Sequence, residues 1–190
     1  MSGIYYEIMI ISPLSIPGAA VVTFTPHGDD RGEFCRIFCL NELKEIHGNR
    51  RIVQINRSVT RQSGTVRGMH FQNPPCAEMK FFQCTRGRVF DVVVDIRKDS
   101  PSFLSWVGIE LSPDIRKMVV IPEGCAHGFQ AMTDDVEVLY FTTAFYAPDC
   151  EEGIRFDDPK IGIRWPLPVR GVSERDMQHP LLSDDEGNNR

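Results

Sequence analysis

Between residues 88 and 96 the chain alternates. Phe90, Val92, Val94 and Ile96 fall on one face and Val89, Asp91, Val93 and Asp95 on the other, the period of a half-buried strand. Shorter apolar or alternating runs predict further strands over 52–59, 79–84, 103–111, 117–121, 129–132 and 136–143. Turn-forming pairs and triplets separate them: Arg86-Gly87, Ser100-Pro101, Ser112-Pro113, Pro122-Glu123-Gly124 and Ala147-Pro148. A helix is predicted over 41–47, where Asn41 supplies a capping side chain ahead of helix formers. Many short strands at this spacing predict an all-β sandwich or barrel with few helices. No repeat, low-complexity run or linker interrupts the pattern. Residues 1–190 therefore read as one domain, with a polar tail over 183–190 expected to fray.

Composition narrows the function classes. With 190 residues, 42% of them hydrophobic, the chain can bury a sizeable core. A formal charge of -5 argues against nucleic acid as a partner, because phosphate-backbone binding needs a basic face. It leaves room for a small anionic substrate held by a few arginines. The apolar run over 4–11 is short, broken by Glu7 and lacks a basic start, so neither a membrane span nor a signal peptide is expected, and the chain reads as cytoplasmic. The six cysteines show no Cys-x-x-Cys pair. All six are expected as reduced thiols, with Cys35 and Cys39 on one strand face.

Two histidines carry the chemistry. His70 lies in Gly64-Thr65-Val66-Arg67-Gly68-Met69-His70-Phe71-Gln72, and His127 closes Pro122-Glu123-Gly124-Cys125-Ala126-His127, the Pro-x-Gly-x-x-His spacing of a cupin second motif. Metal-binding cupins carry His-x-His in the first motif, and here the second of those positions is Gln72. An amide oxygen is a poor substitute for imidazole on a transition metal. The expectation is a metal-free, cofactor-free pocket used for acid–base chemistry. The competing reading is a metal-dependent cupin using His70, Gln72, Glu78 and His127.

A larger set of motifs runs in order along the chain: Arg67 to Gln72, Lys80, Phe90 to Arg97, Ser100-Pro101, Ile121 to Phe129, Leu139-Tyr140, Tyr146-Ala147-Pro148, Asp157-Asp158-Pro159 and Trp165-Pro166. Over about residues 28–182 this resembles the dTDP-4-dehydrorhamnose 3,5-epimerase family. The resemblance implies a cupin-type jelly-roll β-sandwich, a homodimer, and action on a nucleotide-linked 4-keto-6-deoxy sugar. Alternatives kept beside it are a C3-only epimerase of a CDP- or GDP-linked sugar or heptose, and a non-catalytic sugar-binding cupin.

Inverting a carbon next to a ketone requires proton removal, stabilisation of the enolate oxygen, and reprotonation on the other face. The resemblance implies His70 as base, Asp176 as the carboxylate orienting it, Lys80 near the ketone oxygen and Tyr140 as the acid opposite. Without it, Lys80 fits an outward-pointing lysine, Tyr140 a core tyrosine and Asp176 a solvated carboxylate or helix cap. The resemblance further implies that Arg31, Phe34, Gln54, Asn56 and Arg67 hold the nucleotide end, with the Arg31 segment reaching into a partner's site. His127 and Tyr146 are expected against the substrate. Two departures stand out: Arg36 where double epimerases often carry glutamate, and Phe145-Tyr146 where they carry Tyr-Tyr. The first bears on the nucleotide base, the second on how many centres are inverted.

Overall fold

The computed structural model describes residues 9–183, so all of the tail expected over 183–190 except Ser183 lies outside the described residues. Two antiparallel sheets make the sandwich. The strands are β1 (Met9–Pro13), β2 (Ala20–Phe24), β3 (His27–Asp29), β4 (Gly32–Phe34), β5 (Gln54–Thr60), β6 (Val66–Gln72), β7 (Lys80–Arg86), β8 (Val89–Asp95), β9 (Trp106–Leu111), β10 (Lys117–Ile121), β11 (Cys125–Ala131), β12 (Val136–Thr142) and β13 (Glu151–Gly153). The six-stranded sheet runs β1-β2-β10-β7-β12-β5 and the five-stranded sheet β13-β6-β11-β8-β9, while β3 and β4 form a separate hairpin. The helices are short: α1 (Lys44–His47) and α2 (Glu174–Gln178). No helix among the described residues is long and apolar enough to cross a membrane.

The predicted strands form, with ends shifted by a few residues, but β8 is not half-buried. Its two faces meet different apolar clusters. Val89 and Val93 point between the sheets with Phe82, Val119, Val136 and Phe129. Val92 and Val94 point outward and are covered by Ile154, Ile161 and Trp165 from the chain after β13. The outer face of the six-stranded sheet is covered in turn, with Leu43, Ile46 and Phe38 over Phe81, Val120 and Phe141. Strands buried on both faces tolerate apolar residues at every position, which is why 117–121 and 89–95 are so continuously hydrophobic.

The predicted helix is shorter than expected. It starts at Lys44 after a turn, and its first flanking residue is Leu43, which makes no side-chain cap and is fully buried. Anchoring Leu43 under the sheet takes precedence over a cap by Asn41. The expectation of six thiols fails for one pair. Cys76 and Cys150 form a disulfide, their Cα atoms 6.1 Å apart. The loops carrying them are held side by side by Asn73 N–H donating to Cys150 O at 2.9 Å, a juxtaposition that cysteine spacing does not reveal. Burial pushes the Cys84 thiol up to about 11 and that of Cys125 up to about 12, so these two remain inert protonated side chains at neutral pH.

Candidate active site

Strand parity builds one wall of the central cavity. In the six-stranded sheet the register sets Gln54 beside Thr142 and Thr142 beside Lys80, and in the next row Asn56 beside Tyr140 and Tyr140 beside Phe82. Residues two apart share a face. Gln54, Asn56, Ser58, Lys80, Phe82, Tyr140 and Thr142 therefore all line a cavity of about 860 Å³. Opposite them, His70 on β6 is paired with His127 on β11, and both line the same space.

Parity alone would send Arg67 and His70, three residues apart, to opposite faces. The register between β11 and β6 shifts between His127 and Phe129. At that point Gly68 takes φ 132° and lies against Gly128, where a Cβ would stand 2.5 Å from the Gly128 Cα. Only glycine accepts both the dihedral and the approach. The irregularity lets Arg67 and His70 line one cavity while Met69 packs outward into the cluster beneath Ile154 and Ile161.

Asp176 comes from the far end of the chain. Ser173 caps α2 by accepting the Asp176 N–H at 3.1 Å, and the single turn buries Asp176 while its neighbour Arg175 stays exposed. The carboxylate takes His70 Nε2 at 2.8 Å on one oxygen and Gly68 N–H at 3.2 Å on the other. Burial pushes the Asp176 pKa up, but the hydrogen bond and charge of His70, with the Gly68 and Ser173 bonds, outweigh it and hold the carboxyl below its ordinary value. An ionised Asp176 accepts only. Neutral His70 must then donate from Nε2, which leaves the lone pair on Nδ1.

Lys80 is largely buried, with Nζ 3.1 Å from Glu78 and 3.4 Å from the His70 carbonyl. It is thus held inward by an acid and a backbone oxygen, not extended to water. Tyr140 is half-buried. Burial, then the charge of Glu78, raises its phenol above the ordinary value, so it stays protonated through neutral pH. His127 Nε2 lies 2.7 Å from Asp91, a fully buried carboxyl that burial raises, only partly opposed by the histidine. Tyr146 places its hydroxyl 2.6 Å from Glu151. Arg175 reaches the same Glu151 oxygen at 2.6 Å.

Neither Glu151 nor Arg175 stood out in the sequence, yet both line the cavity. Arg175 had a signal in its adjacency to Asp176; Glu151 had none. Gln72, at the position of a second metal-binding histidine, is fully engaged elsewhere. Its amide donates to Cys76 O at 2.9 Å and Phe145 O at 3.2 Å, and its oxygen accepts from Ala147 N–H at 2.7 Å. It does not line the cavity, so His70, Gln72, Glu78 and His127 are not presented to it as a ligand set.

Three predicted residues are not brought into this cavity. Arg31 and Phe34 lie on or beside the exposed β3–β4 hairpin, Arg31 paired with Asp29 and Phe34 65% exposed. Arg36 pairs with Glu42 ahead of α1. Gln54, Asn56 and Arg67 do line it: Gln54 donates to Asn56 at 3.0 Å, and Arg67 Nε donates to Thr60 at 2.9 Å.

Known proteins match this chain along nearly its whole length. The family model for dTDP-4-dehydrorhamnose 3,5-epimerase covers residues 13–184. The dTDP-4-dehydrorhamnose 3,5-epimerase of Sinorhizobium fredii is 38% identical over 185 residues, 97% of this chain and 95% of its own. A dTDP-4-dehydrorhamnose 3-epimerase of Streptomyces niveus is 37% identical over 177 residues, 93% and 85% of the two chains. The crystal structure of dTDP-4-dehydrorhamnose 3,5-epimerase from Bacillus anthracis, with TDP and PPi bound, superimposes with a TM-score of 0.88 at 34% identity, covering 92% of this chain and 99% of that one. Sequence similarity and cupin-type sandwich fold thus agree over almost every described residue, and the chain belongs to the dTDP-4-dehydrorhamnose 3,5-epimerase family of isomerases.

Proposed function

We propose that the chain epimerises a dTDP-linked 4-keto-6-deoxy sugar, inverting C3 by proton abstraction beside the ketone and reprotonation on the opposite face. One observation carries the reading. A histidine whose tautomer is set by a buried carboxylate projects from one sheet, and a protonated tyrosine and a lysine project from the other, into one cavity. Two-faced proton transfer needs that opposition, and a binding pocket does not. His70 Nδ1 takes the proton from the carbon, Asp176 stabilises the imidazolium, Lys80 stabilises the enolate oxygen, and Tyr140 returns a proton across the ring. Arg67, Gln54, Asn56, His127 and Tyr146 orient the substrate around these groups. Arg31 and Phe34 act on the nucleotide in the site of a second subunit, and Arg36 reads the base.

Likeness does not separate double from single epimerisation, since the S. fredii and S. niveus relatives differ by one percentage point in identity. Phe145 in place of the first tyrosine of a Tyr-Tyr pair favours C3 alone as the second reading. Turnover of a dTDP-4-keto-6-deoxyhexose in deuterated water, with product stereochemistry read alongside, tests both. Deuterium and inversion at C3 are expected; the same at C5 establishes double epimerisation. A substrate that binds yet gains no deuterium at either carbon overturns the epimerase reading.

A further inference from the structure

His179, directly after α2, has no place in the reaction above, yet it packs beside the proposed base. Its ring centroid lies 5.8 Å from that of His70 in an edge-to-face arrangement. The ring occupies a slot that exists because residue 153 is glycine: a Cβ there would stand 2.3 Å from His179 Nε2. Gly153 is itself the β13 partner of His70 across the sheet. Inside that slot Nε2 is buried with no hydrogen-bond partner in the protein. A half-buried imidazole with an unsatisfied nitrogen is a costly arrangement unless something coordinates it. One ligand atom each from His70, Asp176 and His179 lie within 4.8 Å of one another.

We infer that His70, Asp176 and His179 form an inhibitory site for a borderline-soft divalent cation such as Zn²⁺, which takes the proposed base out of the reaction when it binds. Two imidazoles and one carboxylate suit zinc, which binds such donors at about 2.0–2.2 Å and leaves a fourth position to water. Tetrahedral ligands around that ion stand roughly 3.4 Å apart, so the set has to close from 4.8 Å at most while the His70–Asp176 contact opens from 2.8 Å. The ion takes the place of the proton between His70 Nε2 and Asp176; that proton moves to Nδ1, so the imidazole stays neutral and Nδ1 has no lone pair left to accept one from substrate. The site differs from the cupin ligand set: it shares His70 with that set but uses none of Gln72, Glu78 and His127, and it opposes turnover.

The binding half of this inference stands without the epimerase reading; the inhibitory half rests on it. Zn²⁺ is titrated into the chelator-treated protein against a chromophoric zinc chelator, with no substrate present. One equivalent is expected to bind with micromolar or tighter affinity, and His179→Gln is expected to weaken it at least tenfold. Gly153→Ala, which keeps all three ligand residues but puts a Cβ into the space the His179 ring fills, is a second variant and should weaken binding too. Cobalt substitution reports the donors, with no thiolate charge-transfer band expected. Turnover should persist after exhaustive chelation, fall with stoichiometric Zn²⁺, recover on chelation, and resist Zn²⁺ in His179→Gln. Native affinity in either variant, a thiolate band, or no stoichiometric binding overturns the site. Binding that meets every expectation but leaves turnover of the native protein unaffected overturns the inhibitory role.

Discussion

At the residue scale the proposed chemistry depends on a tautomer. Asp176 is held ionised by the bonds it accepts, so its contact with His70 selects Nε2–H and leaves Nδ1 as the basic nitrogen. Replacing the carboxylate with an amide keeps the shape but removes the charge that stabilises imidazolium. Asp176→Asn is therefore expected to lower turnover by about 10²- to 10⁴-fold while the protein stays folded. His70→Ala should lose nearly all deuterium exchange at the carbon beside the ketone. Tyr140→Phe should suppress inversion more than exchange, because abstraction precedes donation. Near-normal exchange in folded His70→Ala would require a different base. Of these groups His70, Lys80 and Tyr140 were legible through motif order. Glu151 and His179 were not, because their neighbours in sequence are on other faces or elements.

At the element scale, β8 is tied to the loop that follows it by Asp95. Burial pushes the Asp95 pKa up, but bonds from Arg97, Ser100 and Ser102 more than offset this and bring it down to about 2. Arg97 Nε stands 2.8 Å away and Ser100 Oγ 2.5 Å. A carboxylate depressed below its unfolded value stabilises the fold above the unfolded pKa and loses that contribution as pH falls through the folded one. The contribution is thus complete above about pH 4 and lost toward pH 2, with an upper bound of about 2 kcal/mol. Urea unfolding as a function of pH should show the native protein losing this much more stability across that window than Asp95→Ala. Equal pH slopes for the two would mean that the tie contributes nothing. The tie was invisible in the alternation of 88–96, which sets Asp95 only on the face opposite Phe90, Val92, Val94 and Ile96.

At the scale of the whole molecule, the exposed β3–β4 hairpin carries or adjoins residues that the family resemblance assigns to the nucleotide, yet it does not reach its own cavity. The proposed exchange of hairpins between two subunits would account for both. Complementation tests it. His70→Ala lacks the base and Arg31→Ala lacks the proposed nucleotide contact, and a mixed dimer contains one site with both intact. Co-expressed variants should then exceed the average activity of the two parents. Activity equal to that average would place Arg31 in its own subunit's site. Arg36→Glu should change the ratio of affinities for dTDP-, CDP- and GDP-linked sugars if Arg36 reads the base. An unchanged ratio would exclude it from that role.

What the sequence by itself determined was local: which stretches alternate as strands, where turns separate them, and the surroundings of His70 and His127 that point to a cupin-type pocket. Period-two patterning is a property of neighbouring residues, so it survives without knowledge of the fold. Tertiary structure decided what depends on segments distant in the chain. It buried both faces of β8, used a glycine contact between β6 and β11 to bring Arg67 and His70 to one cavity, and joined Cys76 to Cys150. It also carried Asp176 and His179 from the C-terminal segment to the proposed base. Sheet register and the burial of apolar faces set these meetings, and neither is written in the spacing of any one stretch.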